Sequence, residues 1–570
     1  MKISSSRAFT PSRAALSAAS TAASKKQQQQ QQQQLLQASV ETTDVSSVSS
    51  SSDDERNQQQ QQQQHLVLIG GGHAHVQVIK ALNAAARPEH FKVTLVDSSP
   101  SGAASYSGMV PGCVADLYTV DETRIDLQSL ATWAEIEFIN DAVVDMDLEQ
   151  NLIYTKNAGH DEPIPFDVVS VDIGSTSRDL DTIPGARSHT IPTRPIDKLV
   201  ARLDRARDEW QKENESDEEG KGTGETSLSS SHDQPRLVVV GGGVAGVELC
   251  LSLHQRWSTF SQPRTTLLNA GSELLAGESA AARQTLTRIM TDEVGICIQH
   301  DASVHSVEED CVILKNGEKV PFDICVWATG AGAHNLAYHL NEARQLATTQ
   351  HGWIRVGPTL QSVSHPHVFA AGDCAHLEGL TGGKKSPPKA GVYAVRAGPI
   401  LIENLTRTLE WQRQQQQQEK STSTQQKKMA TPPPPSLALT EYQPQDDFMK
   451  LIVLGDGRAL GLRFGLAFYG TWVMKMKDRI DQNFMNLFRH LPSLDTIERG
   501  DYDTSQYDEQ GDQSVPDLPT PHEAAQLLQR TDDDVDWQQA WYVLRTMTRD
   551  EDYREKVLAA MSQSMVKQAV

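Results

Sequence analysis

No two of the six cysteines in this 570-residue chain form a C-x-x-C pair: Cys113, Cys250, Cys297, Cys311, Cys325 and Cys374 are scattered. So few thiols in so long a chain read as reduced and intracellular, and they argue against a dithiol relay between a cofactor and a substrate. Basic residues are also in deficit, with 52 Lys and Arg against 74 Asp and Glu and a formal charge of −22. Binding a phosphate backbone needs a clustered basic face, so no nucleic-acid partner is expected. Part of the acidity lies in 213–219 and 532–536, away from any motif. No run approaches the roughly 18 to 20 apolar residues of a membrane-spanning helix.

Much of the chain lacks the apolar content to build a core. The glutamine tracts 27–34, 58–64 and 414–418, the proline run 432–435 and the acidic, Gly- and Ser-rich stretch 216–231 read as linkers and tails. Before the first acidic residue, Glu41, come Lys2, Arg7, Arg13, Lys25 and Lys26 among many Ser and Ala. That composition resembles a transit peptide, which would place the protein in a mitochondrion or another organelle; a disordered extension on a cytoplasmic protein is the alternative.

What is present occurs twice. Leu66-Val67-Leu68-Ile69 runs into Gly70-Gly71-Gly72-His73-Ala74-His75, and Leu237-Val238-Val239-Val240 runs into Gly241-Gly242-Gly243-Val244-Ala245-Gly246. Each copy has the same closing phrase, Pro165-Phe166-Asp167 leading to Asp172-Ile173-Gly174, and Pro321-Phe322-Asp323 leading to Ala328-Thr329-Gly330. An apolar strand breaking into glycines at a helix start is a dinucleotide fingerprint, with the pyrophosphate at the helix N-terminus. In the first copy Gly70 permits the turn and Gly72 the close approach, and Asp97, at the end of Val93-Thr94-Leu95-Val96 and 25 residues after Gly72, is the carboxylate for a ribose hydroxyl. His75 replaces the third glycine, which predicts a helix standing slightly further from its strand. The second copy is complete at Gly241, Gly243 and Gly246, with Glu248 on the helix's first turn. Its second strand ends in Asn269, so NADH and NADPH both remain open.

A third apolar strand, His367 to Ala371, ends in Gly372-Asp373 and is expected to rejoin the first block's sheet. The Tyr106 to Gly112 loop, with glycines around Met109-Val110-Pro111, suits backbone approach to a flat ring. Cys113 after it reads as a buried small residue. His73 and His75, two residues apart with no further ligand, make no metal site. The stripe Trp472, Met476, Ile480, Phe484, Phe488 lies on one helix face; packing on a sheet is the expected use, and peripheral contact with a bilayer through 472–488 is the alternative.

On these phrases, together with Pro388-Lys389-Ala390-Gly391-Val392-Tyr393-Ala394-Val395-Arg396 and Lys477-Asp478-Arg479-Ile480-Asp481, the sequence resembles the pyridine nucleotide-disulfide oxidoreductase family. Within it the similarity is to the type II NADH dehydrogenase-like branch, whose members include the flavoprotein module found fused to selenide, water dikinase. The resemblance runs from about His65 to Phe488. It implies an α/β class with two Rossmann-like dinucleotide-binding domains, the second inserted in the first, plus a small C-terminal α+β unit and disordered tails. The boundaries expected are 1–64 for the leading tail or transit segment, 65–200 and 331–410 for the FAD-binding domain, 236–330 for the NAD(P)-binding domain, 201–235 and 411–440 for linkers, 441–490 for the C-terminal unit and 491–570 for an acidic, partly helical tail.

The resemblance further implies that FAD lies on Gly70, Gly72, His73, Asp97, Gly108, Met109, Pro111, Gly174, Gly372, Asp373 and Ala390, and NADH or NADPH on Gly241, Gly243, Gly246, Thr329 and Gly330. Lys389, at a helix start aimed at the flavin, and Glu248 are the candidate catalytic residues. The activity implied is transfer of electrons from NAD(P)H through FAD to a quinone-like acceptor without a redox disulfide. Oxygen, a selenium compound or an iron–sulfur protein as acceptor, and a flavin-bearing protein whose reduction switches a partner surface, are the alternatives.

Overall fold

The protein is described from a computed structural model covering residues 63–219, 234–424, 437–500 and 517–568. The leading segment and the whole proline run lie outside these residues.

Two five-stranded parallel sheets organise the chain. In the first, the order is Val368–Ala370, Val168–Val171, Gln64–Ile69, Phe91–Val96, Glu137–Ile139. In the second it is Ile191–Pro192, Ile324–Trp327, Arg236–Val240, Arg264–Leu268, Cys297–Gln299. The strand ending in Gly372-Asp373 therefore does rejoin the first sheet, after the whole second sheet has been formed, and the second domain is an insertion in the first. Central strands of such sheets are covered on both faces, which is why Leu66, Val67, Leu68, Leu237 and Val239 have no exposed surface.

The repeated closing phrase has a structural cause. Each copy carries a three-stranded antiparallel sheet, Val143–Asp147 with Leu152–Thr155 and Gly159–Pro165, and Val304–Val307 with Cys311–Leu314 and Lys319–Pro321, that delivers the chain to the closing strand. Phe166 and Phe322 are then buried alike. Asp167 accepts the backbone N–H of His65 at 2.7 Å, and Asp323 accepts that of Arg236 at 2.7 Å. The aspartate thus pairs an amide at the start of each fingerprint strand.

A third unit is an antiparallel sheet, Lys450–Val453, Ala459–Arg463 and Leu466–Gly470, followed by the helix Thr471–Arg489. The helix stripe serves packing. Trp472, Val473 and Met476 are buried with Phe468 against Pro521–Gln529, Trp537–Arg549 and Glu551–Gln568, while Phe484, Met485 and Phe488 pack on the first core. The bilayer alternative for 472–488 is corrected on this ground, since the apolar side chains are already covered. The last helices, read from sequence as a loosely held tail, bury Ala524, Leu528, Val543, Leu544, Met547 and Val557 in that same cluster. Among the described residues no helix is long and apolar enough to cross a membrane.

The tract 414–418 also differs from its reading as a linker: it lies inside the helix Gly391–Thr424. Glutamine is a competent helix former, and the preceding turns, anchored by the buried Leu401, Ile402, Leu405 and Leu409, have already met the cost of nucleation.

Candidate functional site

Both strand-to-helix turns press their backbone against the strand that closes the sheet. Gly70 and Gly241 have φ of 89° and 129°, a region open to glycine, and a Cβ on either would fall 2.5 Å from the Asp172 carbonyl oxygen or 2.3 Å from that of Ala328. The turn and the closing strand are therefore in backbone contact in each copy. At Gly246 a Cβ would stand 1.9 Å from the Gly241 carbonyl oxygen, whereas at Gly243 it would meet nothing within 4 Å. One glycine lets helix and strand touch, and the other leaves open space above the helix start.

The first turn solves the same problem differently. His75, in place of the third glycine, is fully buried, its Nδ1 2.6 Å from the Gly70 carbonyl and its Nε2 2.8 Å from Ser170 Oγ. The ring bridges the helix His75–Ala81 to the turn and to the closing strand. Asp97 stands at its strand end, accepting the N–H of Gly71 at 2.7 Å and of Ser99 at 2.8 Å. His73 lies beside Tyr106 and Phe484, with centroids 5.2 and 6.0 Å away, and its buried Nε2 has no protein partner. An unpartnered buried nitrogen beside a glycine turn fits a group that brings its own hydrogen-bonding atoms, as a flavin dinucleotide does.

The remaining cofactor candidates gather around these turns. Asp373 accepts Ser175 Oγ at 2.8 Å and lies 3.5 Å from the guanidinium of Arg194. Gly372 is so close to Asp172 that a Cβ there would be 2.5 Å from its Oδ1, while Gly174 opens on free space. Thr329 donates to the Arg178 carbonyl at 2.6 Å, with Gly330 against the same arginine. Met109 is fully buried and Pro111 sits in the short helix Val110–Val114. Ala390, with Lys389, Pro388, Asp373 and Tyr393, lines a cavity before the helix Gly391–Thr424. The Lys389 ammonium donates to the Ala375 carbonyl and lies 4.3 Å from the ring of Trp353, and burial lowers its pKa. Glu248 is turned toward the third unit, accepting the N–H of Val453 at 2.8 Å. Asn269 spends its amide on its own loop, donating to Gly271 and Glu273 carbonyls at 2.8 and 3.0 Å.

Sequence reasoning passed over Asp172 as a functional residue. Its buried carboxylate accepts the N–H of Ala74 at 2.9 Å and of His75 at 3.2 Å, and a Cβ on Gly72 would lie 2.2 Å from its Cγ. The signal was an acid where the second copy has Ala328. All six cysteines are free, and burial pushes the Cys113 thiol up to about 11. It stays protonated at neutral pH.

Burial sets the other protonation states. It holds His65, His73 and His75 at about 4, and it lifts Asp172 and Glu248 to about 7. Between pH 5 and 6 an unfolded chain protonates those three imidazoles and neither carboxyl, whereas the folded chain protonates both carboxyls and no imidazole. From these five groups the unfolded state binds one proton more, so stability rises with pH by about 1.4 kcal/mol per unit in this window. Asp172→Asn removes one native-state proton and should double that slope; urea unfolding at pH 5.0, 5.5 and 6.0 measures it.

Comparison with known proteins adds three findings. A family model described as pyridine nucleotide-disulphide oxidoreductase matches residues 64–398. The chain is 26% identical over 285 residues to a probable NADH dehydrogenase of Dictyostelium discoideum, covering 46% of this chain and 57% of that protein. It is 27% identical over 248 residues to a type II NADH:quinone oxidoreductase of Haemophilus influenzae, covering 40% and 52%. The matches thus span about half the length of these curated relatives. Among solved structures, NDH2 of Plasmodium falciparum in complex with NADH is similar in fold at a TM-score of 0.55 and 13% identity, covering 76% of this chain and 99% of that one.

Proposed function

Because the chain belongs to the pyridine nucleotide-disulphide oxidoreductase family, we propose that it oxidises NADH or NADPH by hydride transfer to a bound FAD and delivers the two electrons to a quinone-like acceptor. The observation that carries this reading is the pair of matched turns, each a strand end in backbone contact with its closing strand, the second with free space above Gly243. The names of the relatives support the same reading, with a quinone as acceptor.

The chemistry a bound FAD would supply is a ring able to take a hydride and to pass two electrons on to an acceptor. The chain's work is placement. The Gly70 to His75 turn and Asp97 would hold the adenosine end, Asp373 with Ser175 and Arg194 would hold the middle, and the Tyr106 to Gly112 loop with the Pro388 to Ala390 corner would meet the ring. Gly241 and Gly243 would hold the nicotinamide dinucleotide on the helix that Gly246 seats against its strand, with Thr329 and Gly330 beside it. Lys389, though its ammonium rests on Ala375 and Trp353, brings a positive charge near Asp373, where it favours electron density on the ring. Alignment of two held reactants supplies most of the rate, and no side chain forms a bond to substrate. Electrons bypass the cysteines, which form no disulfide and stay protonated where buried.

Rapid mixing tests the reading. The FAD-loaded protein should lose its flavin absorbance on adding NADH or NADPH and recover it faster with a ubiquinone or menaquinone analogue than with air. A protein that takes up no flavin, or whose flavin stays oxidised, overturns the proposal; faster recovery in air changes the acceptor alone.

A further inference from the structure

The phrase Lys477-Asp478-Arg479-Ile480-Asp481 has no part in holding either dinucleotide, yet two of its charged side chains are buried. Lys477 and Asp481, one turn apart on the helix Thr471–Arg489, are 4% and 5% exposed. The Lys477 ammonium donates to Asp481 Oδ2 at 2.6 Å and to the Gly108 carbonyl at 2.5 Å. Asp481 in turn hydrogen-bonds Tyr106, holding that phenol well above its usual pKa together with burial, which is the larger cause. The Tyr106 ring stacks on Phe484 of the same helix, centroids 5.0 Å apart. Beyond the loop, Tyr118 donates to Asp478 at 3.0 Å. The loop is fastened to this helix at its start, and the segment that follows it at Tyr118.

Glu248 joins this cluster from the nicotinamide side. It is faced by Lys477 and Asp481 from the C-terminal helix and by the Val453 N–H from the neighbouring strand. A buried ion pair is a poor device for adhesion, because apolar residues of the same size hold two elements together as well or better. What it adds is direction, since an ammonium with fixed acceptors tolerates one geometry.

We propose that Lys477 and Asp481 are positioning residues: they fix the Tyr106 to Gly112 loop beneath the flavin and register the Glu248 end of the nicotinamide helix to the same point. The C-terminal unit thereby sets how the two cofactors approach each other. This rests on the reading that the loop meets the flavin ring.

The test uses the full-length, FAD-loaded protein with Lys477→Met, Lys477→Arg, Asp481→Asn and the double variant Lys477→Met/Asp481→Leu. Each is measured for FAD content, thermal unfolding, limiting rate of flavin bleaching, NADH half-saturation and the pH profile of that rate. Lys477→Met should retain FAD and lose about tenfold or more in limiting rate, the scale of a small misplacement, with half-saturation little changed. Lys477→Arg should recover part of the rate. Since the Lys477 cation favours ionised Glu248, its removal should also move the inflection near pH 7 upward. The double variant should regain thermal stability without regaining rate, and it decides the matter should Lys477→Met fail to fold. Wild-type rate and pH profile in the flavin-loaded double variant overturn the proposal. A wild-type protein that holds FAD yet is never bleached overturns the functional reading instead, and this inference with it.

Discussion

Gly243→Ala should raise the NADH concentration needed for half-maximal flavin bleaching by about tenfold or more, equivalent to about 1.4 kcal/mol, with no change in thermal stability or FAD content. Gly243 has φ −79° and ψ 174°, which alanine adopts without strain, and its added methyl would meet no protein atom within 4 Å. The methyl has only the ligand to collide with. Gly246→Val makes the opposite demand, because a Cβ there stands 1.9 Å from a backbone carbonyl that no rotamer change can move. The helix Val244–Ser258 must lift from its strand, at a cost of about 3 kcal/mol or more in stability, and bleaching should be lost along with it. The two variants, three residues apart, therefore separate a ligand-facing glycine from a packing glycine. An NADH titration and a melting curve on each are sufficient. Unchanged half-saturation in Gly243→Ala would remove this turn from nicotinamide binding.

What was legible in the sequence was the part built by repetition. Two apolar runs breaking into glycines, each answered by a Pro-Phe-Asp phrase, announce the two sheets, and the third run ending in Gly372-Asp373 announces that the first sheet is completed last. Such features depend on local chemistry: β-branched runs for central strands, glycines where a Cβ has no space, an aspartate for an unpaired amide. The cluster of Lys477, Asp481, Tyr106 and Glu248 was not legible, because Tyr106, Glu248 and the Lys477–Asp481 pair lie far apart in the chain and nothing local demands that they meet. Asp172 stood in a phrase already singled out, but its carboxylate turns back into the glycine turn only because the strand ends there. The helical state of 414–418 was masked by composition: a glutamine tract alone reads as linker, and only the buried turns before it make it a helix. The C-terminal helices were undervalued for a related reason, since their apolar faces have meaning only against the outer side of Thr471–Arg489.

Arg256→Met should cost about 3 kcal/mol in stability and slow bleaching as well, although Arg256 touches neither cradle. Its side chain is 6% exposed on the helix that follows the second fingerprint. There it donates to the Val114 carbonyl at 3.0 Å, to Asp116 at 2.6 Å and to Asp204. Those acceptors belong to the end of the Val110–Val114 helix, just past the flavin-side loop, and to the helix Leu199–Glu219 that leads into the second domain. One guanidinium therefore ties three segments, and its planar fork is what allows it. Methionine replaces the bulk of the stem but leaves the Val114 carbonyl and two carboxylates without their donor. The aspartates are 59% and 37% exposed and recover water, so the loss falls at the lower end of the 3 to 5 kcal/mol expected for a broken buried pair. Arg256→Lys should recover less than half, since an ammonium cannot span carbonyl and both carboxylates at once. Chemical denaturation gives the stability term, and stopped-flow bleaching on the folded fraction gives the rate. A normal rate in a destabilised Arg256→Met would mean that this clamp holds the fold together without holding the cofactors in line.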